Sequence, residues 1–151
     1  REVADLAAAV GLALDYSRQV LVEQYIPGQE ITVALLDGLV LPPIEIVPAG
    51  REFYDYEAKY APGGSRHLIP PSLNEPVLKA SVDAAYRACQ ALGCKSLVRA
   101  DLRIDPDGRP WVLEVNTLPG MTATSLAPEA AQAVGISFEQ LLARIIERAM
   151  G

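Results

Sequence analysis

Apolar residues recur along this chain with two periods, and the period changes at recognisable punctuation. Val3, Leu6, Ala7, Val10 and Leu14 recur at helical spacing, which predicts a helix over Glu2–Tyr16. Val20–Ile26 is rich in β-formers and reads as a strand, ended by Pro27-Gly28. Glu30–Leu36 reads as a second strand, and Asp37-Gly38 carries the signature of a hairpin turn. Leu39–Val47 continues as strand, with Pro42-Pro43 marking an edge or a bend because proline cannot donate to a ladder. Asn74 suits an N-cap for a helix running to Leu92, where Gly93 stops it. Lys95–Asn116 reads as a hairpin. Pro128 fits the first turn of a short helix that ends at Gly135, and Ser137-Phe138-Glu139-Gln140 has the capping-box pattern at the start of a last helix, Phe138–Met150. Strands joined by hairpins and bracketed by helices imply an α+β fold with a largely antiparallel sheet.

Two stretches escape this periodicity. Residues 48–66 hold two prolines, three glycines, three tyrosines, one phenylalanine and six charges, and read as a long irregular loop with aromatic anchors. Loops of that length inside a compact domain are usually functional or disordered. Leu68 and Ile69 suggest a short strand before Pro70-Pro71. Residues 117–125 form a second loop.

The hairpin concentrates the candidate chemistry. Asp105-Pro106-Asp107-Gly108 reads as its tight turn. Folding the flanks back so that Ile104 faces Trp111 sets Asp101 opposite Glu114 and Arg99 opposite Asn116. Side chains repeat every second residue, so these four share one face, while Val98, Ala100, Leu102, Leu113 and Val115 share the other. Directly opposed carboxylates repel, and a sheet usually avoids the pairing. A divalent cation resolves the conflict, and two carboxylates with an amide suit a hard ion such as magnesium. The competing reading is a solvated face with an accidental Asp–Glu pair. The following segment, Thr117-Leu118-Pro119-Gly120-Met121-Thr122, weighs against it, because its Pro-Gly turn aims backbone N–H groups near the same place.

Composition narrows the picture further. A chain of 151 residues, half of them hydrophobic, is enough for one domain with an ordinary core. No apolar run approaches the ~20 residues that cross a bilayer, and no secretory signal is visible. The net charge of −6 argues against a nucleic-acid backbone as partner. Cys89 and Cys94 have neither redox nor zinc spacing and read as reduced thiols, which fits the cytoplasm. His67 is the lone histidine and reads as a strand or loop residue, not a ligand. The chain begins with arginine and at once looks helical, so it reads as a piece of a longer protein.

Several separated motifs agree with one family. They are Glu23-Gln24-Tyr25-Ile26-Pro27-Gly28-Gln29-Glu30, Phe53-Tyr54-Asp55-Tyr56-Glu57-Ala58-Lys59-Tyr60, Val98-Arg99-Ala100-Asp101, Leu113-Glu114-Val115-Asn116-Thr117-Leu118-Pro119-Gly120-Met121-Thr122, and Ser125-Leu126. In order and spacing, over essentially the whole chain, they resemble the C-terminal half of the D-alanine–D-alanine ligases, which are ATP-grasp enzymes. Glu-x-Asn-x-x-Pro-Gly alone says only ATP-grasp; the Phe53–Tyr60 stretch and Met-Thr-x-x-Ser-Leu are more specific to this ligase. The resemblance implies that residues 1–26 end the central lid subdomain and residues 27–151 form the ATP-grasp C-terminal catalytic domain.

The resemblance also implies roles. Asp101, Glu114 and Asn116 are similar to the ligands of two magnesium (or manganese) ions that bridge the ATP phosphates. Lys59 is similar to the loop lysine that reaches the γ-phosphate. Arg99 and the Gly120 N–H resemble the donors that stabilise the tetrahedral oxyanion, although Arg99 also reads as an ion-pair partner of Asp101 or Glu114. Ser125 and the Leu126 N–H resemble the clamp on the carboxylate of the second D-alanine; a plain N-cap is the other reading of Ser125. Glu23 and Glu30 resemble the adenine-amino and ribose-hydroxyl partners, the Gln24 and Ile26 backbone supplies further adenine bonds, and Phe53 packs on the adenine face. From the residues alone, Glu23 and Glu30 would pass for exposed strand positions. Tyr60 resembles the tyrosine of the dipeptide-forming members and belongs to a network that closes the loop.

The expected activity is ligation of two D-alanines through a D-alanyl phosphate, for peptidoglycan precursors, in the bacterial cytoplasm, by a homodimer with no nucleic-acid or membrane partner. The family places an N-terminal substrate domain, two more ATP-binding lysines and a glycine-rich loop ahead of the first helix here, so this stretch alone is expected to be inactive. The rival readings are another ATP-grasp carboxylate–amine or carboxylate–hydroxyl ligase, such as one that makes D-alanine–D-lactate, and a non-catalytic nucleotide-binding or dimerisation module.

Overall fold

The structure is a computed structural model that describes residues 3–48, 65–122 and 124–150. Helix α1 spans Val3–Leu14 and is followed by a stretch without regular structure up to Gly28. Strand β1 spans Gln29–Leu36, β2 Leu39–Val40, β3 Ile44–Pro48 and β4 Ser65–Leu68. Helix α2 covers Glu75–Ala91 and leads into the hairpin of β5 (Leu97–Ile104) and β6 (Pro110–Asn116). Helices α3 (Leu126–Gln132) and α4 (Phe138–Met150) follow. The strands form one sheet in the order β4-β3-β1-β5-β6, with β2 also on β1, and every pairing is antiparallel.

Local chemistry accounts for most boundaries. Asp37 and Gly38, at φ 51° and 82°, form the two-residue turn that pairs Leu36 with Leu39. Pro42-Pro43 interrupts the expected Leu39–Val47 strand and shifts its register on β1 by one residue, so β2 and β3 are two pieces of one broken strand. Asn74 caps α2 by accepting a bond from the Val77 N–H at 3.0 Å. The capping box of α4 is closed reciprocally: the Ser137 N–H donates to Gln140 Oε1, and the Gln140 N–H to Ser137 Oγ.

The central strands β1 and β5 are covered on both faces, which is why β1 reads as a continuous apolar run. Ile31, Val33 and Leu35 join Val98, Ala100, Leu102 and Ile104 in a core beneath α2. That helix contributes small buried side chains, Ser81, Ala85 and Cys89, so its backbone lies close to the sheet. Ala34, Leu36, Ile44, Ile46 and Leu97 form the opposite core with Leu126, Ala127, Ala130 and Ala131 of α3 and Leu141 of α4. Cys89 is buried and both cysteines are free thiols. Among the described residues no helix is long and apolar enough to cross a membrane.

Three expectations are corrected. Val20–Ile26 is not a strand; β-propensity is expressed only where a neighbouring strand completes the ladder, and among the described residues none pairs there, which leaves Leu21, Val22 and Tyr25 exposed. The short strand before Pro70 is Ser65–Leu68, so Ile69 falls outside it. Ile104 faces Pro110, not Trp111, because the turn end of the hairpin runs one residue out of the expected register.

Candidate active site

The displaced register is repaired by a bulge. Ile104 pairs with Pro110, Arg103 with Trp111 and Leu102 with Val112; Leu113 is then passed over, and Asp101 pairs with Glu114 and Arg99 with Asn116. A bulge inserts one extra residue in one strand and re-aims the side chains beyond it. Here it returns the two carboxylates to opposite positions. It also displaces Leu113, which the alternation placed with the core residues and which is instead 47% exposed.

On the other edge of β5, Thr32 pairs with Asp101 and Glu30 with Arg103. Strand alternation therefore puts Glu30, Thr32, Arg99, Asp101, Arg103, Glu114 and Asn116 on one face. This polar stripe crosses β1, β5 and β6 at one end of the core that α3 and α4 cover.

Asp101 is at its centre, buried to 9% exposure. Arg99 Nε and Nη2 donate to its two oxygens at 2.9 and 2.7 Å, and Thr32 Oγ1 donates to Oδ1 at 2.6 Å. Burial pushes the Asp101 carboxyl up, but the hydrogen bond and charge of Arg99, with the bonds to Thr32 and Glu114, outweigh it and hold the group below its ordinary value. The ion-pair reading of Arg99 is thus realised, and the pairing keeps the guanidinium beside the carboxylates. Asn116 Oδ1 accepts the Leu118 N–H at 3.1 Å, which shapes the exit from β6. Asp101, Glu114 and Asn116 offer only oxygen, and carboxylate pairs of this kind suit a hard divalent cation. Among the described residues no three His, Cys, Asp or Glu side chains cluster as a metal site; the Asn116 amide is the further oxygen donor on this face.

The loop after β6 brings Gly120 against Ser125: a Cβ on Gly120 would lie 3.0 Å from Ser125 Oγ. Ser125 occupies the N-cap position of α3, but its hydroxyl makes no capping bond. It accepts the Thr122 N–H at 2.9 Å and lies 2.9 Å from Thr122 Oγ1. The plain N-cap reading is therefore not realised. Leu126 is buried in the core, so its side chain anchors the start of the helix. His67, in β4, is joined to Glu129 of α3, Nδ1 to Oε2 at 2.5 Å, and ties the strand to that helix.

Glu30 is half-buried and pairs with Arg103 at 3.3 Å. Glu23 and Gln24 are exposed on the segment before β1, and Ile26 is half-buried there. Phe53, Lys59 and Tyr60 lie outside the described residues. Two residues of the stripe, Thr32 and Arg103, were missed in the sequence. Their alternation was readable, but their partners are 69 and 73 residues away.

The D-ala D-ala ligase C-terminus family model matches residues 1–147. The D-alanine–D-alanine ligase of Gloeobacter violaceus is 79% identical over 150 residues, 99% of this chain and 50% of the relative. That of Synechococcus sp. (strain JA-3-3Ab) is 57% identical over 99% of this chain and 46% of its own length. Among solved structures, the D-alanine–D-alanine ligase from Bacillus anthracis complexed with ATP superposes with a TM-score of 0.83 at 32% identity, covering 99% of this chain and 47% of that one. The VanG D-Ala:D-Ser ligase from Enterococcus faecalis gives 0.81 at 34%, covering 97% and 43%. The chain spans about half the length of the curated relatives it matches. The polar stripe thus lies on a fold shared by ligases of this kind, and the chain belongs to the D-ala D-ala ligase C-terminus family.

Proposed function

We propose that this chain supplies the metal–nucleotide and acceptor-binding half of an ATP-dependent D-alanine–D-alanine ligase. The observation that carries the reading is the bulge that restores Asp101 opposite Glu114, with Arg99 and Asn116 in the next row of the same face. Asp101, Glu114 and Asn116 would hold magnesium or manganese, two ions to a site, and such ions spread the charge of a transferring phosphoryl group. Glu23, the Gln24 and Ile26 backbone, Glu30 and Phe53 bind the nucleotide, and Lys59 reaches its terminal phosphate.

The first D-alanine carboxylate takes that phosphoryl group from ATP, ADP leaves, and an acyl phosphate results. The amine of the second D-alanine attacks the acyl carbon, the tetrahedral intermediate collapses, and phosphate leaves. Arg99 and the Gly120 N–H face the oxygen on which negative charge builds, where a preorganised donor is worth about 3–4 kcal/mol. Ser125 and the Leu126 N–H hold the second carboxylate. The neighbouring Gly120 leaves room there, since a side chain would press on Ser125 Oγ. Tyr60 favours an amine as acceptor over a hydroxyl and helps to exclude water, which would hydrolyse the acyl phosphate.

In this reading residues 1–26 end a lid subdomain and residues 27–151 form the catalytic domain. The exposure of residues 21–25, next to an Ile26 whose carbonyl is held by Arg103, supports a boundary there. The product feeds bacterial peptidoglycan synthesis in the cytoplasm, and the assembly expected from the resemblance is a homodimer. The test is phosphate release by the full-length protein with ATP and D-alanine, L-alanine, or D-alanine with D-lactate. Release that depends on D-alanine alone is expected. Release without such dependence rejects the ligase reading, and a preference for D-lactate as acceptor rejects the assignment of Tyr60.

A further inference from the structure

Arg103 is absorbed by none of the roles above, yet it makes four contacts with one short segment. Its Nε donates to the Ile26 carbonyl at 3.1 Å. Its Nη1 lies 3.3 Å from Glu30 Oε2 and its Nη2 3.4 Å from the Tyr25 hydroxyl. Its Cζ stands 5.8 Å from the centroid of the Tyr25 ring, within cation–π range. The Arg103 side chain is 19% exposed and that of Glu30 17%, so the charges are only partly screened. One residue further along β5, the segment meets the sheet again: Gly28, at φ +124°, passes so close to the Ile104 carbonyl that a Cβ would lie 1.8 Å from its oxygen.

We propose that Arg103 is a positioning residue for the nucleotide, a proposal that rests on the ligase reading for the role of Glu30 and Ile26. Its planar fork presents separate donors in fixed directions to a backbone carbonyl and a carboxylate, a geometry that the single ammonium of a lysine does not reproduce. Holding the carbonyl fixes the chain at Ile26, where the base is met. The contact from Nη1 to Oε2 also aims the Glu30 carboxylate, and a carboxylate can accept several hydrogen bonds at once. The positive charge also offsets that of Glu30, which would otherwise repel a polyanion. The base and ribose thus find a preformed edge, and less ordering is required on binding.

The experiment compares full-length wild type with Arg103→Ala and Arg103→Lys, using ATP, 2′,3′-dideoxy-ATP and D-alanine. In Arg103→Ala the KM for ATP rises about tenfold while kcat and the KM for D-alanine stay within about twofold. The preference for ATP over the dideoxy analogue shrinks as well, because a loosened Glu30 reads the ribose less well. Arg103→Lys, which keeps the charge and stem and covers the case of an alanine variant that does not fold, raises the KM for ATP about threefold. A KM for ATP within twofold of wild type with an unchanged dideoxy preference, or a lysine variant equal to wild type in both, overturns the proposal. So does a parallel loss of kcat and both KM values with a lowered Tm, which marks a purely structural residue. ADP binding measured without D-alanine separates the two claims. Weakened binding in Arg103→Ala in a protein without D-alanine-dependent turnover sinks the ligase reading alone. Unchanged binding in a protein with normal turnover sinks the Arg103 proposal alone.

Discussion

Asp101 and Glu114 stand directly opposite each other, although the turn end of the same hairpin runs one residue out of that register. Without the bulge the register of the turn end would continue and place Leu113, not a second carboxylate, opposite Asp101. Sheets usually keep like charges apart, and each such pair is destabilising. In the proposed function a cation between the two carboxylates offsets that repulsion, and the bulge is what brings them together.

Thr32 reaches the same centre from the other side, donating to Asp101 Oδ1 at 2.6 Å. Groups that orient a ligating carboxylate matter nearly as much as the ligand. Thr32→Val keeps the shape and removes the donor, so the fold persists while affinity for manganese drops about tenfold. Metal titration of the full-length variant, with circular dichroism as the control, checks this.

Among the described glycines, Gly28 is the one that tolerates a side chain least. Its φ of +124° is open only to glycine, and a Cβ would lie 1.8 Å from a backbone oxygen of Ile104. Gly28→Ala is expected to destabilise the protein by more than about 2 kcal/mol, since the backbone rather than a flexible side chain must move. Urea denaturation reads the difference. Gly38→Ala is the control, a turn glycine at φ +82° with nothing within 4 Å of its Cβ position; only the backbone penalty of about 1 kcal/mol applies there.

Glu45 gives the fold an acid-sensitive fastening. It is 6% exposed and accepts bonds from the Ser72 N–H at 2.8 Å, the Ser72 hydroxyl at 2.5 Å and the Gln29 amide at 2.9 Å. Burial pushes its carboxyl up, but those bonds and the charge of Arg66 outweigh it, and the group sits below its ordinary value. A depressed folded-state pKa means stability that is present above the unfolded value and is lost as the pH falls through the folded one. Glu45→Gln should therefore cost about 1–3 kcal/mol near neutrality, and the gap to wild type should close as the pH falls below the ordinary glutamate range. Denaturant melts across that range test the sign.

Much of this was legible in the sequence because it is local. Asp37-Gly38, the Asn74 cap and the Ser137–Gln140 box each follow from residues a few positions apart, whereas the pairings of Asp101 with Glu114 and Arg99 with Asn116 match the expectation only because the bulge offsets the one-residue error in the expected turn. The bulge was not legible, since strict alternation fits Glu114 and Asn116 equally well with or without an extra residue nearer the turn. Val20–Ile26 misled because its composition favours a strand while none of the described strands pairs with it. Arg103 and Thr32 were passed over because alternation names a face but not who stands across it.

The central claim is that Asp101, Glu114 and Asn116 together hold the cations of a metal–nucleotide. Its most direct test is manganese binding by the full-length protein with ADP, read by electron paramagnetic resonance for wild type and Glu114→Gln. The account predicts that the variant keeps its fold and binds manganese more than about tenfold more weakly. Equal manganese affinity in the two proteins would contradict it.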